Sequence, residues 1–422
     1  MKNNLIKIII QLSFFTALLS CELGYIDING NCYYQKDLSF LQALINNSQF
    51  NKSGPPPNLK PLELGKQTWE NGRLITFCSS PASTGACKVD YILSGKIPLE
   101  IESLTEIKSI SLESNALIGA LPRQIKSLIK LEELKLSSNQ LIGTIPEEIG
   151  QLTKLKVLAL NSNSFSGTLP ESFSKLINLT WVYLSANYLS GNIPSYIGTM
   201  KGMTYLNLSN NKFFYSIPKE IGELVDLQYL NLSQNQFEGK IPVELGQLNL
   251  YRLNLGFNKL IGTIPVELGN NNNLVSLNLE SNQLSGAVPS SIANLINLKE
   301  LDFKNNNLIG EILFLLKDLY VLEKVDLTNN KFSGFMPLEI GNLKNIQSIN
   351  LSFNLFSGGV PSSIKELENL ESLYIHGNKF SGKIDSDFCE INNQMKILIY
   401  DNYFCPPFPN CIKYLGDQKC EE

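Results

Sequence analysis

LEELKLSSNQLIGTIPEEIGQL, running from Leu131 to Leu152, is the stretch that decides the architecture of this 422-residue chain. Leu134 and Leu136 alternate with polar neighbours at the period of a strand whose alternate side chains turn inward. After Asn139, residues Leu141, Ile145, Ile149 and Leu152 share one interior. Gly143 permits a tight bend and Pro146 blocks a long helix. The return path is therefore expected to be irregular, extended or 3₁₀.

The same frame recurs along the chain, as in LQYLNLSQNQFEGKIPVELGQL from Leu227 to Leu248. Thirteen asparagines keep the register: Asn115, Asn139, Asn163, Asn187, Asn211, Asn235, Asn258, Asn282, Asn306, Asn330, Asn354, Asn378 and Asn402. Every gap is 24 residues except the 23 between Asn235 and Asn258. A period of this size signals a stacked repeat. One coil buries about seven aliphatic side chains, worth roughly 10–20 kcal/mol, against ~1–2 kcal/mol of backbone entropy per residue. A single coil cannot fold alone, so neighbours must supply the missing burial. The asparagine amide carries donors and an acceptor together, which suits it to backbone groups inside a turn. All thirteen are read as structural.

LxxLxLxxNxLxGxIP, repeated from about Ile107 to Phe404, resembles the plant-type extracellular leucine-rich repeats of receptor-kinase ectodomains and polygalacturonase-inhibiting proteins. The resemblance implies an α/β leucine-rich-repeat solenoid, a curved right-handed superhelix with a parallel sheet on its concave face. A second short strand near GxIP, a largely irregular or 3₁₀ convex side and disulfide-stapled caps complete the expectation. It also implies binding in place of catalysis. Three departures stand out: the 23-residue spacing at GQLNLYRL, expected to alter local twist; EILFLLKDL after Asn306, where a short helix is expected; and GKIDSDFCEI after Asn378, which lacks proline.

The expected organisation is a signal peptide over 1–20, an N-terminal cap over 21–86, a repeat array of about twelve coils over 87–393, and a last strand with a cysteine-rich cap over 394–422. Lys2 and Lys7 precede a largely apolar run from Ile8 to Leu19, the shape of a secretory leader. No later stretch is apolar enough to span a membrane. Within the N-terminal cap, Asp37 is expected to cap a short helix bearing Leu38, Leu41, Leu44 and Ile45. Tyr91 stands where the repeat would place asparagine.

All eight cysteines lie outside the regular repeats: Cys21, Cys32, Cys78 and Cys87 before them, Cys389, Cys405, Cys411 and Cys420 after. That distribution fits caps on the two ends of a hydrophobic stack. Pairing between ends is excluded by distance, which leaves nine connectivities. Cys21–Cys32 and Cys78–Cys87 are the expected N-terminal pairs; the C-terminal four stay open. Leu18-Leu19-Ser20-Cys21 also looks like a lipobox, so the alternative to secretion is lipid anchoring through Cys21.

The formal net charge is −4, and loss of Lys2 and Lys7 with the leader makes it −6. A mildly acidic chain argues against nucleic acid as the main partner. One histidine and no paired CxxC spacing argue against a metal site, and no cofactor is expected. No nucleophile–base–acid set or phosphate loop is present, so an enzyme is not expected.

If aliphatic and asparagine positions build the scaffold, function belongs to the variable positions of LxxLxLxx. Six residues before successive asparagines stand Trp181, Tyr205, Tyr229 and Arg252, with Tyr183, Tyr251 and Phe257 on adjoining columns. Tyr, Trp and Arg dominate binding energy at interfaces. These seven residues are the candidate ligand-binding set. Beside them a polar column, Asn207, Asn231, Asn254, Asn278, Asp302, Asp326 and Asn350, offers hydrogen-bonding groups. His376 is expected to lie exposed beside Tyr374. Asn46, Asn51, Asn178, Asn207, Asn231 and Asn350 sit in N-glycosylation sequons. The expected role is extracellular recognition of a protein, peptide or glycan; the alternatives are inhibition of a secreted hydrolase, or a structural surface protein.

Overall fold

The computed structural model describes residues 21–83, 85, 87–390 and 395–420. The expected signal peptide lies outside the described residues. The chain forms two compact units: Met1–Ser166 with Pro170–Asn178, and Gly167–Leu169 with Leu179–Glu422.

The first unit begins with a hairpin of β1 (Tyr25–Ile28) and β2 (Asn31–Tyr34), followed by α1 (Gln35–Asn47). Phe40, Leu41, Leu44 and Ile45 on α1 are fully buried. Asp37 does not cap this helix. The cap position belongs to Tyr34, which makes no side-chain capping bond, and Asp37 sits inside the first turn, fully buried. A carboxylate in that place needs a partner, and Arg73 supplies it with Nε 2.9 Å from Oδ2. Arg73 opens β4 (Arg73–Cys78), which pairs antiparallel with β3 (Lys66–Glu70) and parallel with the first repeat strand, Ser109–Ser111. Glu133–Lys135 and Val157–Ala159 continue the parallel ladder. Tyr91 Oη accepts the Gly65 N–H at 2.7 Å, tying the cap at the point where the asparagine series has not yet begun.

In the second unit, ten parallel strands run in chain order from Trp181–Tyr183 to Lys396–Leu398 and make the main sheet. A second series on the flank runs from Tyr188–Gly191 to Tyr403–Phe404. Both units close their coils with five-residue 3₁₀ turns after the repeat proline, such as Glu147–Gln151 and Val266–Asn270. α2 (Leu313–Leu316) replaces that turn in the EILFLLKDL coil. Phe332, Phe356, Phe380 and Phe404 stack down the core at centroid spacings of 6.2–6.3 Å.

Asn282 shows what the recurrent asparagine does. Its Nδ2 donates to the Leu255, Leu279 and Glu280 carbonyls at 3.0, 3.1 and 3.1 Å, and its Oδ1 accepts the Leu260 N–H at 3.0 Å. One side chain thus satisfies groups on two successive coils that are shut away from water.

The missing residue between Asn235 and Asn258 is absorbed locally. Leu248 turns extended (φ −85°, ψ 166°), where Leu224 and Leu295 hold ψ of 70° and 59°. In the neighbouring coils a backbone bond closes the return, as from Leu227 N–H to the Leu224 carbonyl. In the short coil the Leu250 N–H is accepted by Oδ1 of the fully buried Asn271, 3.1 Å away on the next coil.

The four disulfides are Cys21–Cys32, Cys78–Cys87, Cys389–Cys411 and Cys405–Cys420. The Cys21 sulfur is engaged with Cys32, so this bridge and a thioether lipid exclude one another.

Candidate functional site

Strand pleating determines which side chains reach the outer face of the main sheet. In Trp181–Tyr183 the middle residue, Val182, is buried, so Trp181 and Tyr183 point out. Parallel register then sets Trp181 beside Tyr205, Tyr205 beside Tyr229, and Tyr229 beside Arg252. The rings form one connected row. Tyr183 stacks on Tyr205 at 4.4 Å, Tyr205 on Tyr229 at 5.4 Å, and Tyr229 meets Tyr251 at 5.5 Å. Trp181 closes the other end, 6.1 Å from Tyr183 and 6.4 Å from Tyr205.

Trp181 and Tyr251, at the ends, are 48% and 38% exposed, while the three tyrosines between are half-buried. Burial, then the neighbouring Tyr205, pushes the Tyr183 phenol above its ordinary pKa, so it stays a hydrogen-bond donor. Arg252 is exposed beside Tyr229 and Ser276. Phe257 is not brought into the row. It occupies the left-handed position before Asn258 (φ 54°), and among the described residues no ring contact joins it to the others.

The polar column serves the scaffold. Asn207 Oδ1 accepts both the N–H and the Oγ–H of Ser209, at 3.0 and 2.7 Å, and Asn231 and Asn350 do the same with Ser233 and Ser352. Asn254, Asn278, Asp302 and Asp326 each accept the N–H two residues on. Short polar side chains close turns in this way. Among the other sequons, Asn46 and Asn178 are exposed and Asn51 is half-buried.

Asp302 carries a charge problem that its asparagine counterparts avoid. Burial, the largest cause, raises its pKa to about 6, with Glu280 and Asp326 acting in the same direction. Lys304 lies 2.5 Å from Glu280 and 3.6 Å from Asp302, holding the cluster together.

Two aromatic groupings escaped the sequence reading. His376 is buried and not exposed: Tyr400 stacks on it at 4.3 Å and Phe353 meets it edge-on at 4.9 Å. On the flank, Tyr215 holds φ 63° where the other repeats place glycine, such as Gly191 and Gly239. Its ring is 56% exposed and lies 4.5 Å from Phe214. The signal was present in KFFYSIP, which lacks the glycine of LxGxIP.

Models of the leucine-rich repeat match residues 130–189, 177–237 and 320–380, and a second model of this repeat matches 249–271, 273–295 and 297–319. Together they cover more than half of the sequence. The chain belongs to the leucine-rich repeat family. Its asparagine series and 3₁₀ turns are the family's repeat in its plant-type extracellular form.

Among solved structures, a TDR receptor is similar at 31% identity and TM-score 0.76, over 80% of this chain and 57% of that one. The plant peptide hormone receptor RGFR1, solved in complex with RGF2, is similar at 33% identity and TM-score 0.69, over 74% and 54%. A leucine-rich-repeat protein of Leptospira interrogans is similar at 31% identity and TM-score 0.57, over 72% and 81%. This leucine-rich-repeat chain thus spans just over half the length of the two plant receptors. No curated protein matches its sequence.

Proposed function

We propose that this leucine-rich-repeat protein is an extracellular recognition protein that binds an extended peptide across the aromatic row of its main sheet. The observation that carries the reading is the unbroken succession Trp181, Tyr183, Tyr205, Tyr229 and Tyr251, ending on Arg252. Strand pairing and ring-to-ring packing hold these side chains in place, so little side-chain entropy remains to be lost on binding. Aromatic and arginine side chains arranged in this way are the usual anchors of protein recognition. The complex of the similar receptor RGFR1 with RGF2 supports a peptide as the first ligand to seek.

Four disulfides, with no free cysteine among the described residues, fit an oxidising compartment. In this reading Cys21 begins the mature chain as half of a bridge. Intact mass after secretion, with and without reduction, distinguishes that state from a lipidated one.

The decisive experiment screens the secreted mature protein against extracellular peptides, comparing it with a Trp181→Ala, Tyr205→Ala, Tyr229→Ala variant of verified fold. Binding that disappears in the variant supports the row as the site. Binding that survives unchanged refutes it and moves the search to the flank around Tyr215 or to the caps.

A further inference from the structure

The central rings of the row face one another and not the solvent. Tyr205 has Tyr183 on one side and Tyr229 on the other, both stacked with interplanar angles of 29°. Tyr229 is flanked in turn by Tyr205 and Tyr251. A sugar ring packs against the open face of an aromatic ring, and the central members of this row have none to offer. They present ring edges tipped with hydroxyls.

Those tips have hydrogen-bonding capacity to spare. Among the described residues, no hydrogen-bond partner meets the phenol oxygens of Tyr183, Tyr205, Tyr229 and Tyr251 or the Trp181 indole N–H, and no carboxylate pairs with Arg252. The row is an apolar rail with donor protons along its crest and a cation at one end. Each hydroxyl, the indole N–H and the guanidinium can donate to a chain whose acceptors are free. Proline has no N–H, and a polyproline II helix leaves every carbonyl free of internal hydrogen bonds.

Spacing selects the same ligand. Two strand intervals measure about 9.4–9.8 Å, and one three-residue turn of polyproline II advances about 9.3 Å. Trp181 and Tyr229 therefore meet equivalent points on successive turns, as do Tyr205 and Arg252. A β-extended peptide repeats its facing side chains every ~6.6 Å, which matches neither one strand interval nor two.

We infer that the ligand of the aromatic row is a proline-rich segment in the polyproline II conformation, lying across the strands with its carbonyls on the tyrosine hydroxyls. The inference rests on the row being the binding surface. Trp181 to Arg252 covers three strand intervals, about 14 Å, which engages roughly five such residues.

The test titrates the mature protein, up to millimolar ligand, with blocked nonaproline, a blocked Gly-Ser nonapeptide and a neutral β-linked hexasaccharide. Two double variants of verified melting temperature accompany it: Tyr205→Phe with Tyr229→Phe, which keeps the rings and removes the hydroxyls, and Tyr205→Ala with Tyr229→Ala. The expected result is nonaproline binding at least tenfold tighter than the Gly-Ser peptide, weakened about tenfold by the phenylalanine pair and abolished by the alanine pair.

Absence of nonaproline binding overturns the ligand class. Hexasaccharide binding that the alanine pair abolishes, without nonaproline binding, overturns it while leaving the row as a binding surface. Nonaproline binding that neither variant alters overturns both readings.

Discussion

Arg73 grips Asp37 through two hydrogen bonds, from Nε to Oδ2 at 2.9 Å and from Nη2 to Oδ1 at 3.1 Å, with the carboxylate fully buried. The Leu74 N–H donates to the same carboxylate at 3.0 Å, and Arg73 Nη2 donates to the carbonyl of Ser103, the last residue of the 3₁₀ turn Leu99–Ser103, at 2.8 Å. It also lies over the Tyr34 ring at 4.3 Å. Helix, hairpin and first repeat turn are thus joined at one charge pair. Removing one partner strands the other, so Asp37→Ala is expected to cost about 3–5 kcal/mol in denaturant unfolding. A loss below ~1 kcal/mol would show that the cap is held by its apolar contacts alone.

Replacing one member of the asparagine series tests the inter-coil bonding. Asn282→Ala orphans the Leu260 N–H and takes one donor from each of the Leu255, Leu279 and Glu280 carbonyls, which keep Asn258, Asn306 and the Phe257 N–H respectively. Buried groups in that condition carry their full desolvation penalty, and the expected loss is about 2–4 kcal/mol. Native-state hydrogen exchange should quicken first at Leu260, before distant coils respond.

Tyr215 pays a conformational penalty that the glycines of other coils avoid. A left-handed backbone costs an ordinary L-residue roughly 1–2 kcal/mol. Glycine loses more entropy on folding, which offsets part of the relief. Tyr215→Gly should therefore stabilise the protein by about 0.5–1 kcal/mol, read as a higher urea midpoint. Destabilisation would mean that the Phe214–Tyr215 contact outweighs the strain.

Two groups set opposing pH responses. Asp302 titrates in the folded protein at about 6, above its ordinary 3.8. Between those values the folded state holds a proton that the unfolded state has released, so this group favours folding as pH falls from about 6 towards 4. At pH 7 the buried charge is a cost. Asp302→Asn keeps an acceptor for the Lys304 N–H and should raise stability at pH 7 by ~1 kcal/mol, an advantage that vanishes near pH 4.

His376 works the other way. Burial holds its imidazole below the usual range, with Asp401 partly offsetting. Below pH ~6.5 the unfolded chain takes up a proton that the folded chain resists, so stability falls as the solution acidifies through that window. Phenylalanine suits the space between Tyr400 and Phe353, and His376→Phe should flatten the decline between pH 6.5 and 5 in thermal melts. An unchanged slope would exclude His376 as its source.

The repeat was legible because its determinants are periodic. Leucines at strand spacing, one asparagine per coil and a proline after most of the second strands identify the coil without any long-range knowledge. The aromatic row was legible for the same reason, since equal offsets from the asparagines become neighbours in a parallel sheet. What escaped depends on particular contacts. Asp37 resembles a helix cap until Arg73, 36 residues away, is seen to face it. The Asn207 column looks like a ligand surface until its oxygens are found closing their own turns. His376 reads as exposed because nothing local reveals Tyr400 stacked above it. Phe257 was read as standing on an adjoining column, yet it holds a left-handed backbone directly before Asn258 and makes no ring contact with the row among the described residues.

The short coil at Leu248 has a consequence for how such a chain can change. The one-residue shorter return leaves the Leu250 N–H without the backbone partner used in other coils, and Asn271 Oδ1 would in turn be a buried acceptor without a donor if that N–H were paired elsewhere. Each alteration is harmful by itself and harmless with the other. Asn271→Leu, which restores the residue the other coils use, should therefore be more damaging than its conservative appearance suggests, and reinserting a residue after Leu248 should rescue it. Coil length and residue identity are therefore coupled at this point, so that neither can be exchanged alone without stranding a buried polar group.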